Sequence, residues 1–177
     1  TALAITSPIT AELSEDIAMG IVNDANIELG DTTRLQGVRQ ETLSEIVNLK
    51  RECDRVVEDC VVVITSATDG DNADGEFSHD NGYKVDLRVT NDKLNNYIKT
   101  HFASAGVRSS DHAQLYKHTI SSELYALYAK EPASSSNSGA HWDVVVRPRT
   151  TTTSASSDAI TSPDTTAVTG SFIAGTQ

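Results

Sequence analysis

The sequence predicts an α+β fold, with helices packed on a small, mainly antiparallel sheet, and three observations carry that prediction. Apolar residues recur at helical spacing from Ala11 and again from Thr42. Short runs of β-branched residues, continuous at 61–64 and alternating with polar residues at 84–89, have the strand pattern. Between the two kinds of segment lie clusters of Gly, Asp and Asn that serve as turns.

Taken in order, residues 1–10 carry no charge and place Pro8 among small and β-branched residues, which predicts an extended N-terminal arm. Leu13, Ile17, Ile21 and Val22 then form a helical stripe, with Ser14 or Thr10 available as its cap. In the second helix Leu43, Ile46, Val47 and Leu49 supply the apolar face, and Glu41, Glu45, Lys50, Arg51 and Glu52 are expected to stay in water. Val61 to Ile64 reads as a strand buried on both faces. Residues 68–82 carry Gly70, Gly75 and Gly82 among acidic and amide residues and read as a loop. The acidic group Asp69, Asp71, Asp74, Glu76 and Asp80 does not meet the calcium-loop pattern and is expected to be a solvated loop. Val85, Leu87 and Val89 alternate with Lys84, Asp86 and Arg88, so the polar face of this strand presents Asp86. Residues 94–102 and 115–128 are expected to be helical or mixed, and Trp142 with Val144 to Val146 forms a closing strand.

The chain has 177 residues, enough for one domain with a sizeable core, which is expected to span 11–149. Its net charge of -11 and pI near 4.7 argue against nucleic acid or an anionic membrane as a main partner. No apolar run approaches a membrane span, and no secretion signal opens the sequence, which begins at Thr1 as a trimmed or processed chain would. Residues 150–177 form a C-terminal extension in which half of the 28 residues are Ser or Thr and none is Lys or Arg. Such a segment cannot by itself offset its ordering entropy, so neighbouring subunits are expected to hold it, together with the arm. The near-repeat of Ala4–Thr10 at Ala159–Thr165 has two readings, chance similarity in Ser- and Thr-rich sequence or two termini in equivalent grooves or sheet edges. Cys53 and Cys60 are too few for a disulfide framework. On one continuous helix they would stand roughly 10 Å apart, beyond bridging distance, although a helix-to-strand turn between them permits a bond. Free thiols are the expectation.

The stretch from Ile64 to Val89 carries the chemistry. An apolar strand runs into Thr65-Ser66, His79, Gly82 and Asp86 keep a His-x-x-Gly-x-x-x-Asp spacing continued by Leu87-Arg88, and Ala140-His141-Trp142-Asp143-Val144 closes the domain. This pattern resembles the zinc D,D- and L,D-carboxypeptidases that cut peptidoglycan stem peptides, whose fold is shared with the Hedgehog signalling domain. The resemblance implies that fold over residues 11–149 and a zinc bound by His79, Asp86 and a third ligand from the closing strand. The spacing also makes chemical sense by itself, because a catalytic zinc takes three protein ligands and keeps one position open. Gly82 permits a tight reversal between His79 and a strand whose polar face carries Asp86. His141 and Asp143 share one strand face, and either is a candidate for the third ligand. Two carboxylates with one His would suit a harder ion such as calcium.

Departures from the family pattern shape the functional expectation. The Glu that usually precedes the terminal His motif as general base is replaced by Ser134 to Gly139; Glu131, ten residues before His141, is the nearest acid and reaches the site only if the chain folds back. Thr68-Asp69 stand where relatives carry a carboxylate-binding Arg, and Lys84 replaces a small Ala. The expectation is therefore a catalytically degenerate peptidase-like domain, built through residues 1–10 and 150–177 into a virion tail, capsid or filament, or another extracellular assembly, where it could still contact cell-wall peptide or glycan. The alternative is an active zinc peptidase with Glu131 as its base.

Overall fold

The alternation of Val85 and Leu87 with Asp86 divides the molecule into two sides, and the computed structural model, which describes residues 11–69, 75–89, 91–133 and 139–149, is organised around that division. The arm, the C-terminal extension and the repeat they share lie outside the described residues, as do Asp71, Asp74 and the Ser134–Ser138 segment. Three helices, α1 (Glu15–Asp24), α2 (Gln40–Val56) and α3 (Asp92–His101), accompany a seven-stranded mixed sheet. The strands are β1 (Glu28–Leu29), β2 (Val63–Ser66), β3 (Lys84–Arg88), β4 (Ala103–Val107), β5 (Gln114–Thr119), β6 (Leu124–Glu131) and β7 (His141–Pro148), in the order β1-β2-β3-β7-β6-β5-β4. Only β1 and β2 pair in parallel; the other neighbours are antiparallel. The fold class is thus α+β.

One sheet face carries Val85, Leu87, Trp142, Val144, Val146, Ala126 and Tyr128 into the core shared with the helices. Burying such side chains contributes about 1.5–3 kcal/mol each. Two polar contacts orient the helices on this face: Trp142 Nε1 donates to Asn95 Oδ1 of α3 at 2.8 Å, and the Tyr128 hydroxyl donates to Glu45 Oε1 of α2 at 2.6 Å. Glu45 is only 1% exposed, so its place on a wet helix face is corrected. Sheet residues Tyr128 and His118, remote in the chain, supply the partners that make its burial tolerable. In α1 the packed positions are Ala18 and Val22, whereas Ile17 is 57% exposed, because the helix turns a narrower face inward than its four-residue stripe suggested.

Two further expectations change. Leu115 to Tyr128 is an antiparallel pair of strands, its turn held by Ser121 Oγ, which accepts from the Glu123 and Leu124 amides. Leu124, Ala126 and Tyr128 are buried in alternation, a period of two that the helical reading missed. Cys53 and Cys60 form a disulfide, both buried, with Cα atoms 5.9 Å apart. Helix α2 stops at Val56, and Asp59 takes a left-handed φ of 56°, so the chain reverses between the cysteines and the helical separation does not apply.

Candidate metal centre

The second sheet face carries the polar cluster. In the β3–β7 register Asp86 lies opposite Asp143 and Arg88 opposite His141, and in the β6–β7 register Glu131 lies opposite His141. Side chains of paired residues share a face, so three strands bring Asp86, His141, Asp143 and Glu131 to one patch. His79 arrives from the loop before β3. The Gly82 amide donates to the His79 carbonyl at 2.8 Å, closing a reversal in which Gly82 has φ +74°. A Cβ at Gly82 would stand 2.2 Å from the Gly37 carbonyl oxygen, so glycine is required both by conformation and by space.

Asp86 sits between two imidazoles. His79 Nε2 is 3.4 Å from its Oδ1, and His141 Nε2 is 3.8 Å from its Oδ2. Both rings turn their other nitrogen to a backbone carbonyl: His79 Nδ1 lies 2.7 Å from the Ala67 oxygen and His141 Nδ1 lies 3.2 Å from that of Gly139. A carbonyl can only accept, so each Nδ1 carries the proton and each Nε2 is the atom left for a ligand role, as in metal-binding histidines oriented by a backbone oxygen. His141 Nε2 is also 3.2 Å from Glu131 Oε2. Single ligand atoms of His79, Asp86 and Asp143 lie within 4.8 Å of one another. Asp86 Oδ1 and Asp143 Oδ1 are buried without a hydrogen-bond partner.

Cations border the patch on one side. Asp143 Oδ2 accepts from Lys84 Nζ at 2.8 Å and from an Arg108 nitrogen at 3.0 Å. Arg108, from the β4–β5 turn, also binds Glu131, and its Nε donates to Asp111 at 2.9 Å. Burial pushes the Asp143 carboxyl upward, but Lys84 and Arg108 outweigh it and hold the group below the usual carboxylate range. Burial likewise pushes the His79 imidazole down, and the Asp86 carboxylate with the Ala67 carbonyl outweighs it, so the net shift is upward.

Each residue singled out in the sequence therefore lies in this patch. Glu131 reaches it because β6 and β7 are adjacent antiparallel strands; the ten intervening residues close a hairpin, which is the folding back that sequence separation alone could not establish. Sequence reasoning missed Arg108. Its local signal, a carboxylate three residues on at Asp111, belongs to many surface turns, and only the sheet order brings it to Glu131 and Asp143. Asp69, assigned to a solvated loop, accepts from the Ala67 amide at 2.8 Å and from the Arg34 amide at 3.2 Å, so it braces the carbonyl-bearing segment beside His79.

Compared with protein-family models, with curated proteins and with solved structures, the chain matches none. The functional argument therefore rests on the patch. The donor set of imidazole and carboxylate groups, with two buried carboxylate oxygens that lack a hydrogen-bond partner, suits a divalent cation: His79, Asp86 and Asp143 form a group that could hold one.

Proposed function

We propose that this chain is a zinc-dependent peptide hydrolase of the D,D-/L,D-carboxypeptidase type, with His79, Asp86 and His141 as ligands and Glu131 as general base. The observation that supports it most is the pair of imidazoles turned toward the two oxygens of Asp86, each with Nδ1 at a carbonyl. Two imidazole donors favour zinc over calcium or magnesium. Asp143, which completes the group of ligand atoms with His79 and Asp86, is the alternative third ligand, although one of its oxygens already holds Lys84 and Arg108. When bound, zinc supplies polarisation of a carbonyl and of a water.

The chain's own residues do the rest. The Ala67 and Gly139 carbonyls hold the Nδ1 protons of the two rings, which leaves each Nε2 turned toward Asp86. Glu131 Oε2, beside His141, accepts the proton of an attacking water, while Oε1 stays fixed by Arg108. Substrate has room in a cleft of about 640 Å³ bordered by Thr65, Arg88 and His141. Stem peptides of the bacterial cell wall are the substrate class that the sequence resemblance implies, acting from an extracellular or virion-borne setting.

A second reading, a degenerate domain built into an assembly through residues 1–10 and 150–177, is favoured by one feature: Arg108 already engages the Glu131 carboxylate in an ion pair. The two readings separate on turnover. With purified full chain and a pentapeptide stem as substrate, the hydrolase reading expects zinc-dependent release of the terminal residue. Glu131→Gln should then lower kcat by about 10²–10⁴-fold while keeping its zinc. Stoichiometric zinc without any turnover supports the assembly reading instead.

A further inference from the structure

Two cavities on the site face share a wall. One, of about 280 Å³, lies beside His79 under Phe77. The other, of about 210 Å³, is floored by Leu115, Leu127, Ala129 and Val145 and reaches Asp143. Lys84 and Arg147 line both, so the two cavities, together called the trough below, flank one pair of cations, with His79 lining one and an apolar stretch of sheet lining the other.

The shared wall is cationic, while Glu76 lines the first cavity and Asp143 the second. Lys84 pairs with Val145 across β3 and β7, which makes Arg147, two residues further along β7, its diagonal neighbour on the same face. Arg147 stacks over the Phe77 ring at 5.2 Å, and its Nε is buried with no hydrogen-bond partner. Among the described residues Lys84 Nζ donates one hydrogen bond, to Asp143, although an ammonium carries three donors. A buried donor of a charged group without an acceptor costs more than a buried neutral donor left in the same state. Two adjacent cations with donors in reserve, on a chain of net charge -11, suit an anion.

We infer that the trough is a binding subsite for a small amphiphilic carboxylate, an acylated amino acid or peptide end whose free carboxylate lies between Lys84 and Arg147 and whose aliphatic side chain rests on Leu115, Leu127, Ala129 and Val145. The guanidinium fork matches a carboxylate, and the apolar floor selects against a bare inorganic anion. The inference rests on the hydrolase reading only in treating this ligand as part of the substrate; the binding itself needs no metal.

The test uses the full chain kept metal-free with chelator, titrated with N-acetyl-leucine and with its uncharged isostere N-acetyl-leucinamide, and followed by calorimetry and amide chemical shifts. The acid should bind about tenfold more tightly than the amide, the worth of one charge-assisted hydrogen bond. Arg147→Gln should remove that preference. Ala129→Leu, which fills the floor, should weaken the acid on the order of tenfold with an unchanged circular dichroism spectrum. Equal affinity for acid and amide, a preference that survives Arg147→Gln, or binding of neither probe overturns the subsite. Because zinc is excluded, acid binding in a chain that proves unable to hold zinc would sink the hydrolase reading alone, and zinc binding without acid binding would sink the subsite alone.

Discussion

His79 and His141 share a stance that neither could take by accident of exposure: each is about nine-tenths buried, each has one nitrogen at a carbonyl, and each aims the other at Asp86. The His79–Asp86 half of this arrangement was legible in the sequence, because a loop His, a reversing Gly and a strand Asp at fixed spacing confine the geometry locally. The His141–Glu131 half was not, since it depends on a strand register set by packing far from either residue. Glu45 teaches the same lesson on the opposite face. Its helix position marked it as exposed, and only Tyr128 and His118, more than 70 residues away, make it a buried acceptor. The Glu45 carboxylate raises the His118 imidazole above its usual range, against a smaller opposing effect of burial. A raised folded-state value means stability that is fully present below about pH 6.5 and lost as pH rises through the higher folded value. Urea-unfolding midpoints of wild type and His118→Gln should therefore differ most at pH 5.5 and converge toward pH 9. A difference constant across that range would show that Glu45 and His118 do not couple in solution.

At the scale of elements, α1, α2 and the strands at β2, β3 and β7 could be read from sequence pattern, whereas α3, β5 and β6 could be read only as helical or mixed. Leu115 to Tyr128 mixes aromatic, Ala and Leu residues that fit both periods over short windows, so the turn at Ser121 is what decides it. The disulfide was misjudged for a related reason: a spacing argument holds only while one element continues, and α2 ends between the two cysteines. That bond joins the last turn of α2 to the approach to β2, the strand that leads into Ala67 and the His79 loop. By the chain-entropy account a loop of this length contributes about 2 kcal/mol. The double variant Cys53→Ala/Cys60→Ala should lose roughly that stability by denaturant titration, with the fold retained. An unchanged unfolding midpoint would mean that the cysteines are reduced in the purified protein.

For the molecule as a whole, the architecture separates a helix-covered face that stabilises from a polar face that presents the site. No helix among the described residues is long and apolar enough to cross a membrane. The last described residue, Arg149, is anchored by its amide to the Glu123 carbonyl and by its guanidinium to Thr119. Deleting residues 150–177 should accordingly leave a folded, zinc-binding domain, and under the assembly reading it should abolish higher-order species in sedimentation. Unaltered assembly after the deletion would remove the extension from that account. Net charge carries a similar lesson: the acidic total argues against a nucleic-acid surface but hides a local cluster of Lys84, Arg108 and Arg147 beside the site, which only the sheet assembles.

The most direct measurement of the central claim is X-ray absorption spectroscopy of the zinc-loaded full chain, compared with its His141→Ala and Asp143→Asn variants. The proposed centre predicts one zinc per chain with two imidazole nitrogens at about 2.0–2.1 Å. Loss of one imidazole in His141→Ala and an unchanged spectrum in Asp143→Asn should accompany it. Absence of stoichiometric zinc, or a coordination shell altered by Asp143→Asn and not by His141→Ala, would contradict it.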